Sequence, residues 1–366
     1  MARRAHIPAL TSLRLFFALA VFFHHCYFIT KVGDPFLDRL YAAVFSEGYI
    51  GVSFFFILSG FILAYNYREK FRAGAIRKRT FYRARLARIY PLHLLTLLAA
   101  VPVTSGGLPA LASGQMLPTF VSHLTLTHAL WLDRAVYIAY NSASWSISTE
   151  WFFYLAFPFL ILAPGRLRGG WAFATGLVVL AVPLGFYLVP RECHHAVFYI
   201  NPLSRVADFF LGILLHRLYA RLTAGGGPPG NRTLLEGGSL LLLAGFFLAF
   251  PAVPPVWRYS VYYWLPMGAV IGAFALGGGW FSRLLAARWL VVGGEISYAL
   301  YLVHRPLMRY YQKFKLRVFD PQSAYLDLVV LLCATVAVSY LLHYYVERPA
   351  ARWLKRRGEP LTPLAP

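Results

Sequence analysis

Residues 11–28 read TSLRLFFALAVFFHHCYF, an apolar run broken only by Arg14, His24 and His25. A helix needs roughly 20 mostly apolar residues to cross the hydrocarbon core of a bilayer, and runs of this kind recur from Thr11 to Val346. The 366-residue chain is 59% hydrophobic and 13% charged, against about 25% charged in soluble domains, so lipid is its main solvent. The fold class expected is all-α: a polytopic transmembrane bundle of ten helices. Punctuating hydropathy with Gly, Pro and charge puts these near 11–29, 49–66, 89–103, 145–163, 171–189, 204–219, 237–251, 261–279, 296–311 and 323–346. One transmembrane domain, 1–350, would be followed by a basic cytoplasmic tail, 351–366, with no appended soluble domain.

A formal charge of +21 would point to nucleic acid in a soluble protein. In a membrane protein Lys and Arg collect in cytoplasmic loops, so no nucleic-acid partner is expected. With the N-terminus inside, the inner segments hold 23 Lys/Arg and the outer ones 8, which predicts both termini in the cytoplasm and an even number of crossings. One outer segment dissents, carrying Lys313, Lys315 and Arg317. Residues 117–132, LPTFVSHLTLTHALWL, contain His123 and His128 and read as an external segment only partly inserted. Cys26, Cys193 and Cys333 are odd in number and lack ligand spacing, which supports neither a disulfide framework nor a metal site. Arg3 and Arg4 precede the first helix, but no small-residue cleavage site follows it, so a removable signal peptide is not expected.

Arg14 and His25 are eleven residues apart. At about 100° per residue they fall on one stripe of a helix, about 16 Å apart along its axis, with His24 roughly a quarter turn away. Ionisable groups within a membrane are costly and face the bundle interior or water. Arg14 snorkelling and His25 bonded to a neighbouring helix would be the structural explanation. Two such groups on one stripe favour function, with both opening onto a common cavity, whereas His24 alone reads as a packing residue.

Residues 67–88, YREKFRAGAIRKRTFYRARLAR, carry nine Lys/Arg against one Glu, mostly explained as a stop-transfer signal. If the third helix begins early, Arg85 and Arg88 lie side by side as a fork suited to phosphates. Ser59-Gly60-Phe61 permits close helix approach, and packing explains it when taken alone. Glu150, in Trp145-Ser-Ile-Ser-Thr-Glu150, is either a cap of its helix or a catalytic acid. His304, near Pro306, reads as a hydrogen bond to a neighbouring helix. Arg205 and Asp208, at i and i+3, are expected to pair, and Glu347-Arg348-Pro349 to anchor the inner surface.

Six segments, taken in order, resemble the integral-membrane acyltransferase-3 family. They are IPALTSLRLFFALAVFFHH, GVSFFFILSGF, FYRARLARIYPLHLL, WSISTEWFFYLAFP, GEISYALYLVH and YYVERPA, spanning Ile7 to Ala350. The family acylates cell-surface glycans, lipid-linked saccharides and some secondary metabolites. The resemblance implies that Arg14 and His25 match its arginine-to-histidine signature. It also implies that Arg85 and Arg88 match an arginine pair engaging CoA at the cytoplasmic face, and that Ser59-Gly60-Phe61 and Glu347-Arg348-Pro349 match further motifs. It further implies a stand-alone type without an esterase-like domain.

The function expected is a multi-pass O-acyltransferase of a bacterial plasma membrane, using acyl-CoA, most simply acetyl-CoA, as co-substrate. A metal is not expected. The acceptor would be a hydroxyl of a glycan, lipid-linked saccharide or metabolite. Neutral His25 would be the base. Arg14 would hold the donor or the oxyanion, and Glu150 would assist catalysis. Arg85 and Arg88 would grip CoA, with Ser59 and Gly60 beside them. A covalent acyl-enzyme on Ser59 or His25 stays open. The competing classes are a secondary transporter for an anionic or proton-coupled solute and a non-catalytic scaffold.

Overall fold

The computed structural model describes residues 6–104, 106–162, 170–226, 230–318 and 324–356. Among the described residues every regular element is helical. The long helices are α1 Pro8–His24, α2 Gly51–Arg72, α3 Lys78–Ala100, α4 Trp145–Leu160, α5 Gly170–Leu188, α6 Pro202–Ala224, α7 Arg232–Ala249, α8 Val261–Leu276, α9 Arg288–Val318 and α10 Ala324–Leu342. A wide turn, His343–Glu347, leads to a short final helix α11, Arg348–Arg356.

The ten expected segments each fall on a long helix, yet helices and crossings differ in number. Six helical stretches among the described residues are long and apolar enough to cross a membrane, or seven if the pair bent by 44° at Asn201 is one span. At 16 residues, α4 is about 24 Å long, less than the roughly 30 Å hydrocarbon core.

Local chemistry sets several helix ends. Proline occupies the first turn of α1 and α6, where its missing N–H and fixed φ do no harm. The side chains of Asn201 and Asn231 accept the free N–H groups that open α6 and α7, as N-caps do. Helix α3 starts at Lys78, well before the expected residue 89. Hydropathy senses where lipid begins, whereas Arg and Lys are good helix formers and carry the helix beyond that boundary. Likewise α9 runs on to Val318, so Lys313, Lys315 and Arg317 lie on a helical extension and not in a loop. The Lys313 ammonium donates to the Pro102 carbonyl at 3.1 Å.

Residues 117–132 form an eight-residue helix, Leu117–Leu124, and a tight turn, too short to cross. The His123 and His128 rings are buried and stacked at 3.8 Å, with His123 Nε2 bonded to the Val136 carbonyl. These histidines are packing residues. Residues 351–356, placed in the tail by sequence, continue α11, and 357–366 lie outside the described residues.

Close approaches fix the centre of the bundle. A Cβ on Gly294 of α9 would lie 1.8 Å from the Thr11 carbonyl oxygen of α1, and the Ser12 hydroxyl donates to the Leu285 carbonyl. Where α2 meets α6, a Cβ on Gly60 would lie 1.9 Å from the Phe209 carbonyl oxygen, and one on Gly212 2.0 Å from that of Ile57. Only glycine on both helices allows this contact. Beside it Arg205 and Asp208 pair at 2.9 Å, fully buried. Arg205 also donates to Ser53 Oγ and the Tyr259 carbonyl, and Asp208 accepts from Ser260 and Trp264, so the pair is paid off by four further hydrogen bonds.

Candidate active site

Helices α1, α2, α3, α4, α9 and α11 and the His343–Glu347 turn enclose a cavity of about 830 Å³, the size of a small-molecule site. Its lining includes five arginines, Arg14, Arg85, Arg88, Arg348 and Arg352, against three glutamates, Glu150, Glu295 and Glu347. Such a wall favours an anionic guest. The N-terminal residues His6 and Ile7 also border it, which places it at the end of the bundle that carries most Lys and Arg.

The early start of α3 brings Arg85 and Arg88 onto the cavity together. Arg85 donates through Nη2 to the Tyr67 hydroxyl at 3.1 Å and lies 5.3 Å over that ring. Its buried Nε has no partner among the described residues. Arg14 enters from α1 and lies within electrostatic reach of Arg88, Glu347 and Glu150. Glu150 is in the second turn of α4, accepting from Ser59 Oγ at 3.3 Å and from the Tyr154 hydroxyl. Capping does not explain it. Ser59, Arg14, Arg85, Arg88 and Glu150 therefore meet in one place.

Gly60 does not. It points from α2 to the α6 backbone and is absent from the cavity lining, so its expected place beside the donor is corrected to a helix contact. One residue along a helix is a rotation of about 100°, which puts Ser59 in the cavity and Gly60 against α6.

His25 also lies outside the lining, so the expected common cavity with Arg14 is not observed. It caps the C-terminal end of α1 and shares its Nδ1 between the Val21 carbonyl, at 2.9 Å, and His304 Nε2, at 3.2 Å. A carbonyl only accepts, so Nδ1 carries the hydrogen and Nε2 keeps its lone pair. The two rings are 4.9 Å apart, and His304 is 5.8 Å from the Tyr301 ring. Tyr301 lines the cavity, so Tyr301 and His304 connect His25 to it. His304 thus makes the expected bond to a neighbouring helix, and its partner is His25. His24 bonds the Ser46 carbonyl through Nδ1, as a packing residue would.

Two features escaped the sequence reading. Arg305 donates to Ser142 Oγ at 2.9 Å and acts electrostatically on His24, His25 and His304, a cation beside the imidazoles that the HRP sequence carried in plain view. His343 bonds Glu347 at 2.8 Å, both buried and both on the cavity wall. The i, i+4 spacing was legible, but an anchoring role was expected of Glu347. Arg348 instead pairs with Glu295 at 2.7 Å.

Comparison with known proteins bears on what this arrangement does. The acyltransferase-3 family model, described as an acyltransferase domain, matches residues 7–344. Acyltransferase MdmB of Streptomyces mycarofaciens is 33% identical over 97% of this chain and 94% of its own length. O-acetyltransferase OatA of Staphylococcus aureus strain NCTC 8325 / PS 47 is 21% identical over 94% of this chain but only 57% of its own. Protein 2 in picA locus of Rhizobium radiobacter is 46% identical over 14% of the chain. No solved structure matches. The relatives favour an enzyme over a transporter, and a match along nearly the whole chain means that it belongs to the acyltransferase-3 family, as a multi-pass membrane protein that moves acyl groups.

Proposed function

We propose that this enzyme transfers an acyl group, acetyl in the simplest case, from cytoplasmic acyl-CoA to a hydroxyl of a glycan, lipid-linked saccharide or secondary metabolite. The observation that carries the reading is the convergence of Arg14, Arg85 and Arg88 on one cavity of about 830 Å³. Arginines grip phosphates through paired N–H donors, and the charge bias supports a cytoplasmic position for this end of the bundle, where acyl-CoA is made. The acetyl donor is also in keeping with the name O-acetyltransferase carried by OatA.

In this reading Arg85 and Arg88 bind the phosphates and Arg14 holds the donor farther in. Ser59 and Glu150 line the same wall. His25 Nε2 takes the proton of the acceptor hydroxyl as its oxygen attacks the thioester carbonyl. Arg305 supplies positive charge for the oxyanion that forms there. The acyl end of the donor reaches His25 past Phe55 and Tyr301.

The test is mass spectrometry of glycans, lipids and secreted metabolites from cells with the wild-type protein or with His25→Ala, joined to thiol release from acetyl-CoA by purified protein. Loss of one acyl mass in the variant is expected. Retention of every acyl group would remove His25 as base, and solute uptake without CoA would overturn the reading itself.

A further inference from the structure

His25 is only half-buried, yet it does not line the donor cavity. Its uncovered side faces elsewhere, and the rings beside it show where. The His24 ring lies 5.2 Å from that of His25 and 5.4 Å from that of Tyr49. Tyr49 is 5.5 Å from Tyr199 and 6.2 Å from Tyr259. His195 follows, 5.2 Å from Tyr199 and 5.8 Å from Tyr259. The three tyrosines are half-buried and His195 is exposed, so a run of rings leads from the surface to His25. None of these rings lines the donor cavity.

Three separate turns build the patch, and local contacts hold them in place. Tyr49 stands in the turn Gly48–Ile50, Tyr199 in the wide turn His195–Ile200, and Tyr259 directly after the short helix Pro255–Arg258. A Cβ on Gly48 would lie 2.1 Å from the Ala20 carbonyl oxygen, so glycine lets the first turn press against α1 beside His24. Buried Glu47 ties that turn to the third, accepting from Arg258 and from the Tyr49 and Tyr263 hydroxyls. Trp145 supports Tyr199 at 4.8 Å. The Tyr259 hydroxyl and His195 Nε2 find no hydrogen-bond partner among the described residues.

The electrostatics are unlike those of the donor cavity. Glu47 offsets Arg258, and Asp208 offsets the Arg205 that lies over Tyr199. Asp133 and Arg134 both act on Tyr137, the residue bonded to His195. The exception is Arg305, whose charge serves the oxyanion. Balanced charge, aromatic faces and spare polar edges suit a neutral guest with an apolar face and hydroxyl groups. Residues 190–203 and 252–260 each hold a single Lys or Arg, which fits the outer side of the membrane. The 17-residue α1 sets them about 25 Å from its N-terminal end, where His6 borders the donor cavity.

We infer that Tyr49, Tyr199, Tyr259 and His195 form the acceptor site. The acceptor is a neutral hydroxylated ring, the sugar of a glycoside or the ring of a polyketide, whose C–H face lies on the tyrosines while one hydroxyl reaches His25 Nε2. The inference rests on the acyl-CoA reading and deepens it by giving the acceptor a place and a chemical class.

The experiment supplies purified protein in nanodiscs with radiolabelled acetyl-CoA and an extract of host cells that lack the protein, split by ion exchange into neutral and anionic fractions. Wild type is expected to label the neutral fraction, and the mass of the product tells a glycoside from a polyketide. Tyr259→Ala should raise the amount of that fraction needed for half-maximal transfer by about tenfold, and Tyr259→Trp should stay within about twofold of wild type, since a ring is kept. His195→Ala removes a ring at the exposed rim and should raise the requirement by about threefold, which serves as the test if Tyr259→Ala does not fold. The Kd for CoA, read by calorimetry, should match wild type in every folded variant, separating loss of the acceptor site from loss of the fold. Label absent from the neutral fraction, alanine variants that half-saturate with wild type, or a shift that Tyr259→Trp fails to reverse overturns the inference. Failure of wild type to bind CoA overturns the acyl-CoA reading instead.

Discussion

Ser59 and Gly60 are chain neighbours with opposite expected phenotypes. In Gly60→Ala the new Cβ would sit 1.9 Å from the Phe209 carbonyl oxygen. Real Cβ atoms do not approach within 3.0 Å, so α2 and α6 must part by at least about 1.1 Å, and neither partner is a flexible side-chain end. Gly212 makes the reciprocal contact against the Ile57 carbonyl, so sliding the helices relieves nothing. Overpacking of this kind costs about 1–3 kcal/mol. At about 2–4 °C per kcal/mol for chains of 150–250 residues, the melting midpoint in detergent should fall by several degrees. CoA affinity of the folded fraction should stay near wild type. Ser59→Ala removes one long hydrogen bond to Glu150, 3.3 Å, worth on the order of 1 kcal/mol or less, so it should melt close to wild type and alter donor affinity or turnover. Thermal unfolding followed by tryptophan fluorescence, with calorimetric CoA titration, reads both. A Gly60→Ala protein that melts with wild type and binds CoA poorly would refute the assignment of Gly60 to packing.

Arg88→Ala should raise the Kd for acetyl-CoA by roughly 10- to 100-fold, the worth of one charged hydrogen bond, and calorimetry checks it. Asp208→Asn leaves the Arg205 guanidinium buried without its counter-charge, a loss of about 3–5 kcal/mol, and should lower the melting midpoint more than any cavity-lining substitution. Phe55→Trp, placed where α2 meets Tyr301, should leave CoA binding intact and depress acyl transfer at least tenfold in a coupled thiol-release assay. Unchanged transfer would mean that the acceptor meets the donor inside the cavity.

What could be read from sequence followed from how each property is encoded. Lipid burial is written residue by residue, so each of the ten apolar segments fell on a helix, and the Arg205–Asp208 pair followed from spacing on a single helix. Helix ends in water were misplaced because hydropathy marks the membrane boundary: α3 begins at Lys78 and α9 ends at Val318. Helical periodicity also says which residues share a face, but not what that face meets. It aligned His25 with Arg14, while the cavity stops short of His25. His343 and Glu347 share a turn only five residues long, yet their meeting with Arg14 and Arg88 is a tertiary fact.

The separation between cavity and His25 bears directly on how transfer is organised. Arg85 and Arg88 line the cavity, as do Phe55 and Tyr301, whose rings are 6.2 Å apart. Beyond Tyr301 come His304 and His25, joined by the hydrogen bond between the two imidazoles, with the Arg305 cation close enough to act on His25. A water-soluble donor that could diffuse to His25 would make the arginine-lined chamber needless, and an acceptor bound beside the arginines would leave the His25 tautomer fixed to no purpose. Both features have a use when only the acyl-bearing arm of the donor passes Tyr301 while its phosphates stay behind. The charged part of the donor then remains on one side of the membrane and only a small neutral group crosses, which avoids the cost of carrying a phosphate through low dielectric.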